Sequence, residues 1–178
     1  MKKTQYVLAA IVLAGAALAP LTYAADVSQP EQAISLMDGT GVFSHLIASG
    51  NMGNTFSDRF DFSATAGTLG SVVSAISPPP VDGIAITGFS LYNSGGLSMS
   101  GTKLLNGSVD VWTLSTSHLV PDNYYLLVSG TLLSAAAASY SGSITVTPVP
   151  EPEAYAMLLG GLGMLGFLAR RRKGSAST

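Results

Sequence analysis

Short apolar runs, separated by turn-forming residues, recur through the middle of this chain and constrain its fold more than any other feature. Most of them alternate apolar and polar side chains, which is the pattern of strands with one buried face. The runs lie at residues 42–48, 55–64, 71–76, 83–92, 97–105, 108–114, 124–132 and 140–147. Runs this short, with little helical periodicity, predict an all-β domain over residues 25–148, a β-sandwich or jelly-roll-like fold of about eight strands.

Several segments also predict finer details of the strands, turns and helix. In the run 83–92 the apolar phase changes around Gly88, which is typical of a β-bulge. The run 124–132 is apolar on both faces and is predicted to be a central strand. Asn106-Gly107 predicts a hairpin turn. The one helix that we expect in the domain is short, around residues 30–37.

Period two in the run 55–64 places a carboxylate among phenylalanines. Phe56, Asp58, Phe60 and Phe62 share one face of this strand. A buried carboxylate must be paired or hydrogen-bonded, so we expect Asp58 to accept bonds from backbone N–H groups or from a tyrosine hydroxyl.

The charged residues are few and unevenly placed. Only 10% of the 178 residues are charged, against roughly 25% in typical globular proteins. Six of the eight basic residues lie near the two ends, and residues 25–149 hold eight acidic residues against Arg59 and Lys103. A nucleic-acid-binding protein needs a basic surface, so that class is excluded. The chain has no cysteine, which excludes disulfides and thiolate metal sites, and no cofactor is predicted.

Residues 1–24 have the three parts of a secretory signal peptide. Two lysines open the segment, an apolar run follows over residues 6–19, and Pro20 ends it. Small residues before the junction, the last of them Ala24, occupy the positions that a signal peptidase reads. Because the apolar run is short for a membrane span of roughly 20 residues, we predict cleavage after Ala24 rather than a permanent anchor.

A second three-part pattern covers residues 149–173. A proline-rich motif at 149–153 precedes a charge-free run at 154–169, which predicts a transmembrane helix, and residues 174–178 form a predicted disordered tail. The run spans roughly 24 Å as a helix, short of a hydrocarbon core of roughly 30 Å. A basic cluster that stops translocation then holds this end in the cytoplasm by the positive-inside rule, so the domain faces outward. The motif residues are Val149, Pro150, Glu151 and Pro152, and the basic cluster is Arg170, Arg171, Arg172 and Lys173.

These three parts together resemble the PEP-CTERM protein-sorting signal of Gram-negative bacteria. The resemblance implies that an exosortase, a membrane transpeptidase-like enzyme, recognises the tail and cuts near the Pro-Glu-Pro motif. It also implies a precursor held transiently in the inner membrane with its domain in the periplasm, followed by delivery to the cell surface or the exterior.

A further resemblance covers most of the domain. Phe56-x-Asp58-x-Phe60 is similar to the signature of the FxDxF family of PEP-CTERM proteins, and the segments 123–131 and 139–142 also fit that family. The family has no assigned biochemical activity, so this resemblance implies a sorted protein without indicating a reaction.

Residues with catalytic or binding chemistry are sparse. The alternative to a structural role for Asp58 is a Ca²⁺ site to which Asp61, Asp82, Asp110 or Asp122 contributes, although no Asp-x-Asp-x-Asp-Gly run is present.

The histidines and the tryptophan are also weak candidates. His45 is in phase with apolar neighbours and is predicted at the border of the core, whereas His118 precedes a turn and is predicted in a loop. There is no Gly-x-Ser-x-Gly elbow, and Glu31 is the only glutamate of the domain, so a hydrolase is not expected. Trp112 is left open between core packing and an exposed position where it stacks on a sugar.

The sequence therefore predicts an exported, non-enzymatic surface or extracellular-matrix protein. Its expected partners are signal peptidase, an exosortase and, through the resemblance, exopolysaccharide in a biofilm. The alternative is a carbohydrate- or calcium-binding β-sandwich module at the cell surface. An exposed aromatic cluster around Trp112, or carboxylates converging on Asp58, would favour that alternative.

Overall fold

The computed structural model describes residues 23–77, 83–149 and 152–174. The predicted signal segment up to residue 22, the prolines at 78–80, Pro150, Glu151 and residues 175–178 lie outside the described residues. Within the described ranges the elements are β1 Gln32–Ala33, β2 Thr40–Ile47, β3 Thr55–Ala64, β4 Gly67–Ile76, β5 Ile84–Asn93, β6 Gly96–Ser100, β7 Thr102–Leu105, β8 Val109–Leu119, β9 Asp122–Leu132, β10 Ala138–Pro148 and α1 Pro152–Gly174.

The strands form two five-stranded sheets that enclose one hydrophobic core, which confirms the predicted β-sandwich, although it has ten strands where about eight were predicted. Sheet A has the order β1-β3-β9-β5-β6, and sheet B has the order β2-β10-β4-β8-β7. Strand β9 is central in sheet A, as predicted, because it pairs with β3 on one side and with β5 on the other. In sheet B the last strand of the domain, β10, lies between β2 and β4.

Alternate side chains of the inner strands fill the core. The predicted inward face of β3 is buried at every position, from Phe56 to Phe62. In β5 the predicted bulge is present, since the register with β9 shifts between Ile86 and Gly88. The bulge lets Ile86 before it and Phe89 after it face the same core, although their sequence phases differ.

The run at 97–105, predicted as one strand, is divided into two strands that belong to different sheets. β6 pairs with β5 in sheet A, and β7 pairs with β8 in sheet B. Gly101 lies at the crossing, where its N–H donates to the carbonyl of Phe89 at 2.7 Å. A Cβ atom at Gly101 would lie 2.8 Å from the carbonyl oxygen of Thr113. Only glycine therefore lets the chain pass this closely between the sheets.

The prediction of a short helix around residues 30–37 is wrong. Gln32–Ala33 form β1, which pairs in parallel with β3, and the N–H of Ile34 donates to the carbonyl of Asp61 at 2.7 Å. Without β1, strand β3 would be the edge of sheet A and would present unpaired backbone groups. Pairing with β3 gives this segment backbone hydrogen bonds, whereas an isolated helix of this length is only marginally stable. The buried side chain of Ile34 then covers one side of the core.

His118 lies in a strand and not in the predicted loop. β8 continues to Leu119 instead of ending at residue 114, because β4 begins earlier than predicted and Gly67 pairs with Leu119. The side chain of His118 is exposed on this extended strand. The hairpin turn predicted at Asn106-Gly107 is present between β7 and β8, and Gly107 has a positive φ of 132°.

In each sheet a phenylalanine lies opposite a glycine of the neighbouring strand. Phe56 pairs with Gly130 in sheet A, and Phe43 pairs with Gly142 in sheet B. A Cβ atom at either glycine would overlap the phenylalanine ring. The two missing side chains therefore make the space that the rings occupy in the core.

The C-terminal helix α1 has exposed side chains between Tyr155 and Leu168, among them Met157, Leu159 and Phe167. A helix at the predicted positions 154–169 is thus present. Among the described residues, however, no helix is both long and apolar enough to cross a membrane. The membrane span stays a prediction.

The opposition of Phe43 and Gly142 predicts the effect of a single added methyl group. Gly142→Ala should lower the free energy of unfolding by about 1–3 kcal/mol, because the new Cβ meets the ring of Phe43 and the carbonyl of Val72 at 2.6 Å. Gly70→Ala is the matched control in the same sheet, since its Cβ would have no atom within 4 Å. We expect that control to be neutral or slightly stabilising in urea denaturation. Equal losses in the two variants would contradict the steric argument.

Candidate functional site

A fully buried carboxylate lies between the two sheets. Asp58 is 0% exposed, and its neighbours in phase, Phe56 and Phe60, are buried on either side of it along β3. An unpaired charge at this depth would destabilise the fold strongly, so its partners are the first question about the site.

Three donors surround this carboxylate. Oδ1 of Asp58 accepts a hydrogen bond from the backbone N–H of Gln29 at 2.7 Å. Oδ2 lies 2.7 Å from Nδ1 of His45 and also accepts a hydrogen bond from the hydroxyl of Tyr140. A backbone N–H and a tyrosine hydroxyl are the donors predicted from the sequence, and His45 joins them. Gln29, His45, Asp58 and Tyr140 are called the Asp58 cluster below.

The Asp58 cluster joins parts of the chain that are far apart in sequence. Asp58 comes from sheet A, His45 and Tyr140 come from the paired strands β2 and β10 of sheet B, and Gln29 precedes β1. One carboxylate therefore links both sheets and the N-terminal segment.

The ring of Tyr140 is enclosed by the same pattern that carries the FxDxF resemblance. Phe56 stacks on Tyr140 with 5.3 Å between ring centroids, and Phe60 meets it edge to face at 6.5 Å. Each of Phe56, Asp58 and Phe60 thus contacts this one tyrosine. Burial, followed by the hydrogen bond and the charge of Asp58, raises the pKa of the Tyr140 hydroxyl far above its usual range.

The Asp58–His45 pair resembles the acid and the histidine of a Ser-His-Asp triad. A carboxylate that orients an imidazole activates a nucleophile only when a hydroxyl or thiol lies within hydrogen-bonding reach of the other ring nitrogen. Among the described residues, no serine, threonine or tyrosine hydroxyl forms a hydrogen bond with His45, and its side chain is 12% exposed. The pair connects β2 of sheet B with β3 of sheet A.

The carboxylates proposed for a Ca²⁺ site lie apart and have other partners. Asp61 pairs with Arg59 at 2.7 Å, and Asp122 accepts a hydrogen bond from the hydroxyl of Ser94 at 2.7 Å. Asp82 lies outside the described residues. In the part of the chain that the structure describes, no group of three or more histidine or acidic side chains is placed to hold a metal ion.

A second buried carboxylate explains the position of Trp112. Asp110 Oδ2 accepts a hydrogen bond from the N–H of Ile86 at 2.9 Å, and Nε1 of Trp112 donates to the carbonyl of Ile86 at 3.1 Å. Two side chains of β8 thus hold both backbone groups of one β5 residue next to the bulge. Nζ of Lys103 lies 3.1 Å from Oδ1 of Asp110. Trp112 is therefore packed against the core, which decides the question that the sequence left open.

The aromatic side chains on the outer face of sheet A cover one another. Tyr92 and Tyr125 stack with ring centroids 4.8 Å apart and planes at 1°. The guanidinium of Arg59 lies 4.2 Å from the centroid of Tyr125. Because Arg59 and Tyr92 come from the strands on opposite sides of β9, both faces of Tyr125 are occupied, and that ring has no open face for a sugar.

The C-terminal segment begins where the sandwich ends. Pro148 is the last residue of β10 and pairs with Gly67, and the N–H of Val149 donates to the carbonyl of Ala66 at 3.2 Å. The helix α1 starts at Pro152 with Glu153 in its first turn. A proline suits the first position of a helix, and an acidic residue suits its positive end.

Residues 148–173, which include the predicted motif, helix and basic cluster, match the family described as the PEP-CTERM protein-sorting motif. This chain carries a PEP-CTERM sorting motif. The motif implies an exported protein with a C-terminal membrane-anchoring signal, sorted by an exosortase. Membership of the FxDxF family stays a prediction, as do the individual roles of the motif residues.

Solved structures resemble the PEP-CTERM chain only weakly. The pre-peptidase C-terminal domain of a Bacillus anthracis collagenase is 17% identical with a TM-score of 0.39, over 66% of this chain and 96% of that one. PliG of Aeromonas hydrophila, a periplasmic inhibitor of g-type lysozyme, is 11% identical with a TM-score of 0.40, over 69% and 100%. CBM35 from Cellvibrio japonicus Abf62 is 15% identical with a TM-score of 0.29, over 62% and 70%. A search of curated proteins found no match.

The sequence identified Asp58 but not the side chains around it. His45 and Tyr140 are 13 and 82 residues away from Asp58 along the chain, so no local spacing connects the three. The sequence signal that could have found them is the alternation of apolar residues. It places His45 and Tyr140 on the inward faces of their predicted strands, where a buried carboxylate requires donors.

Removal of the carboxylate should expose its structural role. Asp58→Ala should lower the free energy of unfolding by about 1–3 kcal/mol, since it leaves buried donors of Gln29, His45 and Tyr140 without an acceptor. The matched control is Asp61→Ala on the outer face of the same strand, whose ion pair with Arg59 is partly exposed. That variant should change stability by less than about 1 kcal/mol. Thermal or urea unfolding followed by circular dichroism makes the measurement.

Burial of Tyr140 predicts a loss of stability at alkaline pH. Because its pKa is raised in the folded state, the unfolded chain loses the phenolic proton first, near pH 10, and stability falls above that pH by up to about 1.4 kcal/mol per pH unit. Below pH 10 this contribution is fully present. Tyr140→Phe should flatten the alkaline limb, whereas Tyr92→Phe on the outer face should keep it. Parallel limbs for wild type and Tyr140→Phe would disprove this assignment.

Proposed function

We propose that this chain is a non-enzymatic surface or extracellular-matrix protein whose β-sandwich is the cargo that an exosortase delivers through the PEP-CTERM tail. One observation carries the proposal: a complete sandwich is followed directly by the sorting motif. The buried hydrophobic residues of the described chain lie between Ile34 and Val146, and α1 contributes none of them. Removal of the tail would therefore leave the core intact.

The start of the sandwich supports cleavage after Ala24. The N–H of Ala25 donates to Oδ1 of Asn54 at 2.9 Å, and the carbonyl of Ala25 accepts from the N–H of Thr55 at 3.0 Å. Tyr23, on the other side of the proposed junction, is 84% exposed. A new amino terminus at Ala25 keeps a donor in place for Asn54, so signal peptidase can cut there without loss of these contacts.

Two features support a role without catalysis. The Asp58 cluster connects the sheets and offers no nucleophile among the described residues, and Trp112 is committed to the core. The features that would favour a sugar- or calcium-binding module are therefore not found at Trp112 or Asp58. The module remains the alternative proposal, and it would require a surface other than these two.

The outer face of sheet B supports contact with a neutral polymer. Its strands β4 and β10 present hydroxyl side chains to solvent, including those of Thr68, Ser141 and Thr145, and no charged residue lies in either strand. Hydroxyl groups exchange hydrogen bonds with polysaccharide without desolvating a charge. We propose exopolysaccharide as the material with which the exported protein associates.

The sorting proposal is tested by the mass of the exported protein in its native host. The wild type found outside the cell should lack residues 154–178. Replacement of Pro150, Glu151 and Pro152 by alanine should keep the protein in the inner membrane at its unprocessed mass, because the helix extends and the extended segment that proteases bind is lost. Intact-mass measurement of secreted and membrane fractions distinguishes the two.

Gly174→Ala combined with Ser175→Ala is the control, since both positions lie beyond the basic cluster and the change should leave processing unchanged. If the protein found outside the cell still carries Arg170 to Lys173, the tail is an ordinary anchor and the sorting proposal fails.

A further inference from the structure

One edge of sheet B is long and regular, and the described residues beside it cover it at Thr40, Gly41 and Ser44. Sheet edges are usually short, bulged, charged or interrupted by proline. Among the four edges that the described residues form, β1 has two residues, and β6 and β7 have five and four with a register shift in each pairing. β2 has eight residues, Thr-Gly-Val-Phe-Ser-His-Leu-Ile, and pairs with β10 without a shift. It contains no lysine, no acidic residue and no proline.

The backbone groups of β2 that face away from β10 belong to its even-numbered residues. Gly39, an odd position, directs its carbonyl toward β10, where it accepts from the N–H of Val146 at 2.7 Å. Thr40, an even position, exchanges hydrogen bonds with Met37 on the other side. Because backbone directions alternate along a strand, Val42, Ser44 and Leu46 direct their N–H and C=O groups away from the sheet. The carbonyl of Ser44 accepts a hydrogen bond from Nε2 of Gln29 at 3.2 Å.

Space lies beside this edge. A cavity of about 600 Å³ is lined by Gln32 and Ile34, by Val42 and Ser44 of β2, and by residues of β4 and β10 that include Val72 and Ser141. The side chains of Val42 and Leu46 are each 77% exposed. The edge therefore combines unpaired backbone groups with apolar side chains that are left in water.

We propose that β2 pairs antiparallel with β2 of a second copy of this chain, about a two-fold axis at Ser44. In this register Val42 faces Leu46 of the second copy, and the reciprocal pair forms by symmetry. About six backbone hydrogen bonds result from the three outward-facing residues of each copy. Both apolar side chains become covered, and two five-stranded sheets join into one of ten strands.

The observations favour a second copy as the occupant because the strand is complementary to itself. Its outward-facing residues place apolar side chains at equal distances on both sides of a small central serine, as a two-fold axis requires. Because neither β2 nor the adjacent β10 contains a lysine, an arginine or an acidic residue, like charges of these types do not oppose the pairing. A different partner would need no such symmetry.

A disulfide cross-link tests the axis on the full chain, which has no cysteine of its own. Two residues at position 44 of the paired copies would have Cα atoms about 5.5 Å apart, within the range that a disulfide spans. Ser44→Cys should give a covalent dimer under mild oxidation. Ser141→Cys on the interior strand β10 is the matched control, exposed but away from the edge, and should stay monomeric. Equal cross-linking of both variants, or none in Ser44→Cys, overturns the proposal.

A charge exchange tests the register. Sedimentation of V42K/L46K should show a dimer weakened about tenfold or more, because each lysine faces a lysine of the other copy. In V42E/L46K each glutamate faces a lysine, so the dimer should persist. Circular dichroism verifies that both variants fold. If one variant does not fold, the comparison of Ser44→Cys with Ser141→Cys decides the matter. A monomeric wild type, or equal dimerisation of the two double variants, overturns the proposal.

Discussion

The buried carboxylate of Asp58 is the constraint on which the rest of the sandwich depends. A charge at this depth is tolerated only when its donors are in place, and these come from the N-terminal segment, β2 and β10. A slip of one residue in β3 would turn Asp58 to the outer face and Ser57 or Arg59 to the core. Satisfying one side chain thus fixes the register of β3 and its position relative to sheet B.

Packing around the Asp58 cluster follows from this arrangement. Phe56 stacks on Tyr140, and the space for its ring exists because Gly130 lies opposite it. At the other end of the sandwich, Asp110 and Trp112 hold both backbone groups of Ile86 beside the bulge of β5. Directed polar contacts therefore connect the two sheets at both of these places, and the hydrophobic core between them supplies the larger, non-directional part of the stability.

The sorting segment is attached to this sandwich without a spacer. β10 lies between two other strands and ends at Pro148, and the PEP-CTERM match begins at that same residue. A strand with two neighbours is held along its whole length, so processing close to the motif leaves the remainder of the chain folded. On the side away from β4, β10 pairs with β2, which is the edge strand of sheet B.

The sequence by itself determined the all-β class, the inward face of β3, the bulge near Gly88 and the sorting motif. Each of these is a local pattern of apolar–polar alternation, turn-forming residues or charge. Asp58 was recognisable in the same way, as a carboxylate in phase with phenylalanines. Only the tertiary structure decided that His45 and Tyr140 are its partners, that residues 97–105 divide between two sheets, and that the segment at 30–37 pairs with β3 rather than forming a helix. These outcomes depend on contacts between distant residues, and such contacts override weak local propensity when they satisfy buried backbone groups and charges.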